Sequence, residues 1–288
     1  MKLAIHFPNF TMPGGPASLS RILAATARAA DEGGCETMTL MDHWFQMEQR
    51  APATDPMLEG YTSLGFIAGQ TKRLKLGLLV SGVTYRYPGL LAKIVATLDV
   101  LSEGRAFLGL GAAWYEREHL ALGVPYPPIS TRFEMLEEAL QICQQMWSDD
   151  EGPYEGKHYQ LAETICRPRP IQTPRPPILI GGSGEQKTLR MVAQYGDACN
   201  LFDLGEDVIA QKLEILDRHC ADLGRDPAEI QRTMIASVGL DDTDGFLKRM
   251  ERVAKLGISQ VWVAAAAPDP AGFVTDLTER VLPRLAEI

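Results

Sequence analysis

Short apolar runs alternating with amphipathic helical stretches, repeated along the whole chain, constrain its fold more than any other feature. Residues 76–114 show the unit most clearly: an apolar run, a polar break, a helical stretch, a turn and a second apolar run. Within it Leu90, Leu91, Ile94, Val95, Leu98 and Leu101 recur at helical spacing. The flanking runs, 76–80 and 106–110, are continuous rather than alternating, as expected of parallel strands covered on both faces. A helix crossing between two parallel strands is a βαβ unit. Its glycines, Gly82, Gly109 and Gly111, fall at or near the carboxyl ends of the strands, where α/β proteins build their sites.

The same rhythm fills the rest of the chain. Strands are predicted at 3–7, 37–41, 74–80, 106–110, 178–180, 198–201, 233–238 and 260–264. Helices are predicted between and after them at 18–32, 61–71, 88–102, 131–147, 185–195, 207–223, 243–256 and 270–282. Eight strands alternating with eight helices predict an α/β chain with a (β/α)8 TIM barrel, and a doubly wound open sheet is the alternative. Gly33-Gly34 predicts a left-handed end to the first helix, and Thr131 to Glu134 has capping-box spacing. Residues 148–177, rich in proline, glycine and charge, break the rhythm. They are expected to form an insertion after the fourth βα unit, lying over one barrel end, within a single domain spanning 1–288.

Composition narrows the function classes. A net charge of −9 disfavours a nucleic-acid or anionic-membrane partner, either of which needs a basic face. No apolar run approaches the ~20 residues that span a bilayer, and MKLAIHFPNF is too soon interrupted by Pro8 to read as a signal peptide. Five scattered cysteines without a CxxC pair suggest reduced thiols and a cytoplasmic protein. The five histidines show no HxH or HExxH spacing, so no metal is expected, and there is no GxSxG elbow.

Four strand exits carry candidate chemistry. After the second strand stand Asp42, His43 and Trp44, placed to enter a barrel mouth, where a histidine can act as general acid or as a donor to a cofactor. After the third come Ser81, Gly82, Val83 and Thr84, a close-approach site or a plain tight turn. After the fourth, Gly111, Ala112 and Ala113 leave backbone N–H groups free to meet an anion, and Trp114, Tyr115, Glu116, Arg117, Glu118 and His119 follow. Tyr115 to His119 could line a pocket or form a solvated helix face, and most are expected on the latter. After the fifth, Gly181, Gly182 and Ser183 open a helix as phosphate-binding turns do, without the Walker A pattern that hydrolysis would require.

Taken in order, LMDHWF, the segment YPGLLAKIVATLDVLSEGRAFLGLGAAWYEREHLALG with its helical continuation to residue 149, and PPILIGGSGEQKTLRMVAQYGDACN resemble the luciferase-like monooxygenase superfamily, nearest to its deazaflavin (coenzyme F420) branch. The resemblance spans most of residues 37–202. It implies a TIM barrel, a homodimer, and coenzyme F420, or alternatively FMN, at the carboxyl-end mouth. It assigns Asp42 and His43 to the reactive face of the ring and Gly82-Val83 to a non-prolyl cis peptide against it. Ser81 and Thr84 would flank that contact. Gly111, Ala112, Ala113, Gly181, Gly182 and Ser183 would meet the phosphate and ribityl tail, and Trp44, Trp114, Tyr115 and Glu118 would form the substrate pocket. The implied activity is hydride transfer between the deazaflavin and a small organic substrate. An FMN-dependent monooxygenase and a non-catalytic flavin-binding barrel are the alternatives.

Overall fold

The computed structural model describes residues 1–265 and 268–288. The strands are β1 (Lys2–Phe7), β2 (Thr37–Leu40), β3 (Lys75–Leu78), β4 (Ser81–Gly82), β5 (Leu108–Gly111), β6 (Tyr154–Glu155), β7 (Gln160–Leu161), β8 (Ile178–Gly181), β9 (Ala198–Phe202), β10 (Gln231–Ala236) and β11 (Gln260–Ala264). The helices are α1 (Pro16–Glu32), α2 (Gly60–Ala68), α3 (Pro88–Leu101), α4 (Glu116–Leu122), α5 (Ile129–Met146), α6 (Thr188–Tyr195), α7 (Glu206–Leu223), α8 (Thr243–Lys255), α9 (Pro270–Arg280) and α10 (Leu282–Leu285). None of the described helices is long and apolar enough to cross a membrane.

The large sheet runs β3-β2-β1-β11-β10-β9-β8-β5-β4, and every pair in it is parallel. Its two ends meet: β4 pairs with β5, and Leu76 of β3 forms a parallel bridge to Ala106 just before β5. Segments β3 and β4 are thus one barrel stave broken in the middle, and the open-sheet alternative is excluded. The seam is tight enough to demand a glycine. A Cβ on Gly109 would stand 1.9 Å from the Leu78 carbonyl oxygen, so no other residue fits there.

The break in the third stave holds a non-prolyl cis peptide bond, between Leu79 and Val80. This corrects the expected position at Gly82-Val83, where the Val83 N–H instead bonds the Gly111 carbonyl at 2.9 Å. The predicted capping box at Thr131 does not form either. Helix α5 begins two residues earlier, at Ile129, behind Pro128, and has no side-chain cap. The positive φ predicted at the end of α1 falls on Gly34, at 87°.

Outward-facing strand residues such as Leu3, Ile5 and Phe7 pack with the helices into the main core. The inward-facing set alternates with them, as strand geometry requires. Ala4, Phe107, Leu179, Ala198 and Trp262 plug the barrel interior, with the Trp262 indole N–H donating to Thr233 Oγ1 at 3.1 Å. Two residues further along the same strands, His6, Gly181 and Asn200 face the same interior one layer nearer the carboxyl ends. The plug is therefore a floor, and the site lies above it.

The insertion packs on the outer helices and does not cover the carboxyl-end mouth. Its β6–β7 hairpin lies along α5, where the N–H groups of Lys157, His158 and Tyr159 donate to Glu138. Its return bonds Asp99 of α3 through the N–H groups of Ile171 and Gln172, and the Gln172 amide reaches the Ala106 carbonyl at 2.6 Å. Ala106 precedes β5, so this segment runs on the amino-end side, away from the carboxyl-end mouth.

Candidate active site

A cavity of about 700 Å³ opens at the carboxyl ends of the strands. Its wall includes His43, Ser81, Gly82, Gly111, Ala112, Ala113, Trp114, Gly181, Gly182 and Ser183, which the strand exits bring together from four separate loops. The Leu79-Val80 bond lies on the same wall, and His6 and Asn200 come up from the floor. Val80 crowds inward there. A Cβ on Gly181 would meet its side chain at 2.6 Å, and one on Gly111 at 3.0 Å.

The wall divides chemically into two parts. On the β8–α6 side, the N–H groups of Gly182, Ser183 and Gly184 donate to no acceptor among the described residues. Consecutive free N–H groups in a glycine loop form an anion-binding concavity. On the β2 side stands His43, and its ring is held from behind. Nδ1 lies 2.8 Å from Oε1 of Glu118, a side chain with no exposed surface. The Tyr85 hydroxyl donates to the same Oε1 and lies 3.1 Å from Nδ1. Oε2 of Glu118 accepts the backbone N–H groups of Trp44 and Phe45 at 2.7 and 3.1 Å.

These contacts fix the ionisation of the cluster. Burial alone would raise the Glu118 pKa, but the hydrogen bonds from His43 and Tyr85 outweigh it and hold the carboxyl below its ordinary range. Burial and the adjacent Glu118 charge push the Tyr85 phenol well above its usual value. Glu118 is then a carboxylate that can only accept, so Nδ1 of His43 carries the hydrogen. Whenever that ring carries no second proton, Nε2 is an acceptor, and it has no protein partner among the described residues.

Other predicted site residues lie behind the wall. Asp42 is buried and bonds the Arg86 guanidinium twice, at 2.5 and 3.0 Å. Arg86 also pairs with Glu59, the N-cap of α2. Asp42 therefore braces the β2 exit against the β4–α3 loop and does not face the cavity. Thr84 bonds Nε2 of His119 at 2.6 Å, and Val83 is buried at the seam. Of the four expected pocket residues only Trp114 is on the cavity wall. Trp44 packs on Tyr85 with ring centroids 4.3 Å apart, and Tyr115 stacks under Trp114 at 5.1 Å.

Glu118 and His119, expected on a solvated helix face, are buried instead. With Tyr115 they form a polar stripe at i, i+3 and i+4 on the stretch that becomes α4, turned toward the barrel. That spacing was the available signal for the stripe. Tyr85, Arg86, His6 and Asn200 carried no signal that sequence reasoning used.

A parallel eight-stave barrel with a carboxyl-end cavity, a carboxylate-held histidine and a free N–H cradle defines a cofactor-binding α/β-barrel enzyme. The profile of the family described as luciferase-like monooxygenase matches residues 1–250, and the chain belongs to that family. It is 31% identical over 227 residues to an F420-dependent glucose-6-phosphate dehydrogenase of Kineococcus radiotolerans, covering 76% of this chain and 64% of that one. Among solved structures it superposes on an F420-dependent secondary alcohol dehydrogenase in complex with an F420-acetone adduct, with a TM-score of 0.82 and 16% identity over 99% of this chain and 98% of that one. It also superposes on a riboflavin lyase with modified FMN and riboflavin, with a TM-score of 0.83 and 14% identity over 100% and 91% of the two chains.

Proposed function

We propose that this chain is an F420-dependent oxidoreductase that transfers a hydride between the deazaflavin ring and a small organic substrate. The relatives bearing F420-dependent names support the cofactor class, and the residues present fit such a group. Gly181 and Gly111 let the Val80 side chain press into the cavity wall, and the 182–184 loop offers unpaired N–H donors for a phosphate. When bound, the deazaflavin would supply a ring carbon that takes or gives the hydride.

The observation that carries the catalytic part is the Glu118–His43 pair in the cavity wall. Glu118 and Tyr85 hold the ring so that Nε2 faces substrate as a proton acceptor. His43 takes the proton of a substrate hydroxyl as the carbinol carbon loses its hydride. In the reverse direction the protonated ring returns that proton to a carbonyl oxygen. Asp42 and Arg86 keep the β2 exit in place. The cavity wall, closed below by Trp262 and Phe107, limits access of water from that side.

We infer further that residues 1–288 act as one cytoplasmic unit and as a homodimer. All five cysteines are free and buried, which suits a reducing compartment. Leu90 and Leu101 on α3 and Phe66 on α2 are exposed apolar side chains that a second copy would cover.

The test is titration of the purified protein with F420 and separately with FMN, each followed by the ligand's fluorescence, then turnover with alcohols and carbonyl compounds. Saturable F420 binding is expected, with His43→Asn binding F420 within about threefold of wild type while losing at least 100-fold in turnover. Binding of FMN alone would replace the deazaflavin reading with the flavin one. Reduced cofactor that no substrate oxidises would mean a non-catalytic barrel.

A further inference from the structure

The cavity mouth carries a charge pattern that the chain as a whole does not. The chain has 37 acidic against 28 basic side chains, yet no Asp or Glu is among the described residues lining the cavity. The ionisable groups there are His6, His43, Tyr85 and Arg50. Arg50 stands on the loop after β2, just past a turn in which its own N–H bonds the Met47 carbonyl at 2.8 Å. Its guanidinium has no ion-pair or hydrogen-bond partner among the described residues, and it is the one lysine or arginine among them on this wall.

His6 stands on β1, which pairs with β2, and lines the same cavity as Arg50. Burial first, and then the charges of Arg50 and His43, push the His6 ring down to a pKa of about 3. One end of the cavity therefore gathers an unpaired cation and two imidazoles. The free N–H cradle at 182–184 follows β8, three staves around the barrel from β2. A cofactor phosphate at that cradle leaves Arg50 without an anion of its own.

Arg50 is an exposed residue at the cavity rim, and the absence of carboxylates from the lining keeps its field from being cancelled there. A guanidinium fork matches the planar or tetrahedral oxygens of carboxylate and phosphate. We propose that the substrate is a small organic anion, with a carboxylate or phosphate group that Arg50 holds at the His6–His43 end, so that its carbinol or carbonyl carbon is presented beside His43. This assignment rests on the oxidoreductase reading above and adds the substrate class to it.

Calorimetric titration of the cofactor-free protein with oxalate, inorganic phosphate and uncharged oxamide tests it. Wild type is expected to bind oxalate and phosphate but not oxamide, with affinity that falls as salt rises. Arg50→Gln should weaken oxalate at least tenfold and remove one of two phosphate sites, and Arg50→Lys should lose less, because it keeps the charge without the fork. Phosphate can also sit on the free 182–184 cradle, so oxalate is the readout of Arg50, and phosphate still bound by Arg50→Gln is held by the cradle. Unchanged binding of oxalate by Arg50→Gln overturns the assignment, as does equal binding of oxamide by wild type. In turnover, Arg50→Gln should raise KM for 2-hydroxy acids or hydroxy phosphates at least tenfold with little change in kcat. A loss confined to kcat refutes a role in substrate binding. The titrations need no cofactor, so failure of F420 binding overturns the cofactor reading without touching the Arg50 result, and the converse also holds.

Discussion

Glu118→Gln separates what the buried carboxylate does from what its shape does. In the native protein its two oxygens accept four donors: the backbone N–H groups of Trp44 and Phe45 on Oε2, and Nδ1 of His43 and the Tyr85 hydroxyl on Oε1. The backbone donors cannot turn away, so the new amide must place its oxygen on them and its NH2 toward His43 and Tyr85. An NH2 facing Nδ1–H is two donors in contact. The cheap relief is for the imidazole to move its hydrogen from Nδ1 to Nε2, and for the phenol to accept. The substitution thus inverts what the cavity meets at Nε2, from an acceptor to a donor. All four hydrogen bonds lose the carboxylate charge, which at about 1 kcal/mol each costs about 4 kcal/mol of stability. A misplaced tautomer removes general-base assistance, which contributes about 10²–10⁴-fold in rate. Cofactor affinity, assigned by the proposal to the glycine cradle, should stay within about threefold, since Glu118 does not line the cavity. The assay is 15N NMR of histidine-labelled protein, with His43 assigned by its Asn variant among the five histidines, alongside turnover and cofactor titration. A His43 that keeps its Nδ1 hydrogen in Glu118→Gln, with turnover within threefold of wild type, would refute the argument.

Two other predictions address the frame of the site. Asp42→Asn should lower unfolding stability by about 3 kcal/mol, because it removes one charge of a buried pair, while leaving F420 or FMN affinity nearly unchanged. A tenfold loss of affinity at unchanged urea midpoint would make Asp42 a cofactor contact after all. His6 is buried neutral with a pKa near 3 against 6.5 unfolded, so the unfolded state takes up the proton first as pH falls. Stability carried by the neutral ring is complete above about pH 6.5 and is lost toward pH 3. The loss is about 2 kcal/mol between pH 7 and pH 5, at 1.36 kcal/mol per unit. His6→Asn should remove that part of the pH dependence in urea unfolding, and identical wild-type and variant slopes would contradict it.

The alternation of apolar runs and amphipathic helices determined the order of the elements and the rim on which the site stands. These are local properties: a side chain's fit to a strand or helix face depends on its neighbours within a few residues. The same locality let the glycines after the third, fourth and fifth strands stand out at their exits. It could not show that the sheet closes, because closure rests on Leu78 meeting Gly109 across the seam. Nor could it place the strand break at Leu79-Val80 rather than at Gly82-Val83. The roles of polar residues were decided only in three dimensions. His43 and Glu118 are 75 positions apart and Asp42 and Arg86 are 44 apart, and no spacing rule connects them. A carboxylate in the sequence is equally ready to meet solvent, a ligand, a guanidinium or an imidazole. Packing puts Arg86 against Asp42 and His43 against Glu118, and so makes one acid a brace and the other the group that sets the histidine's proton.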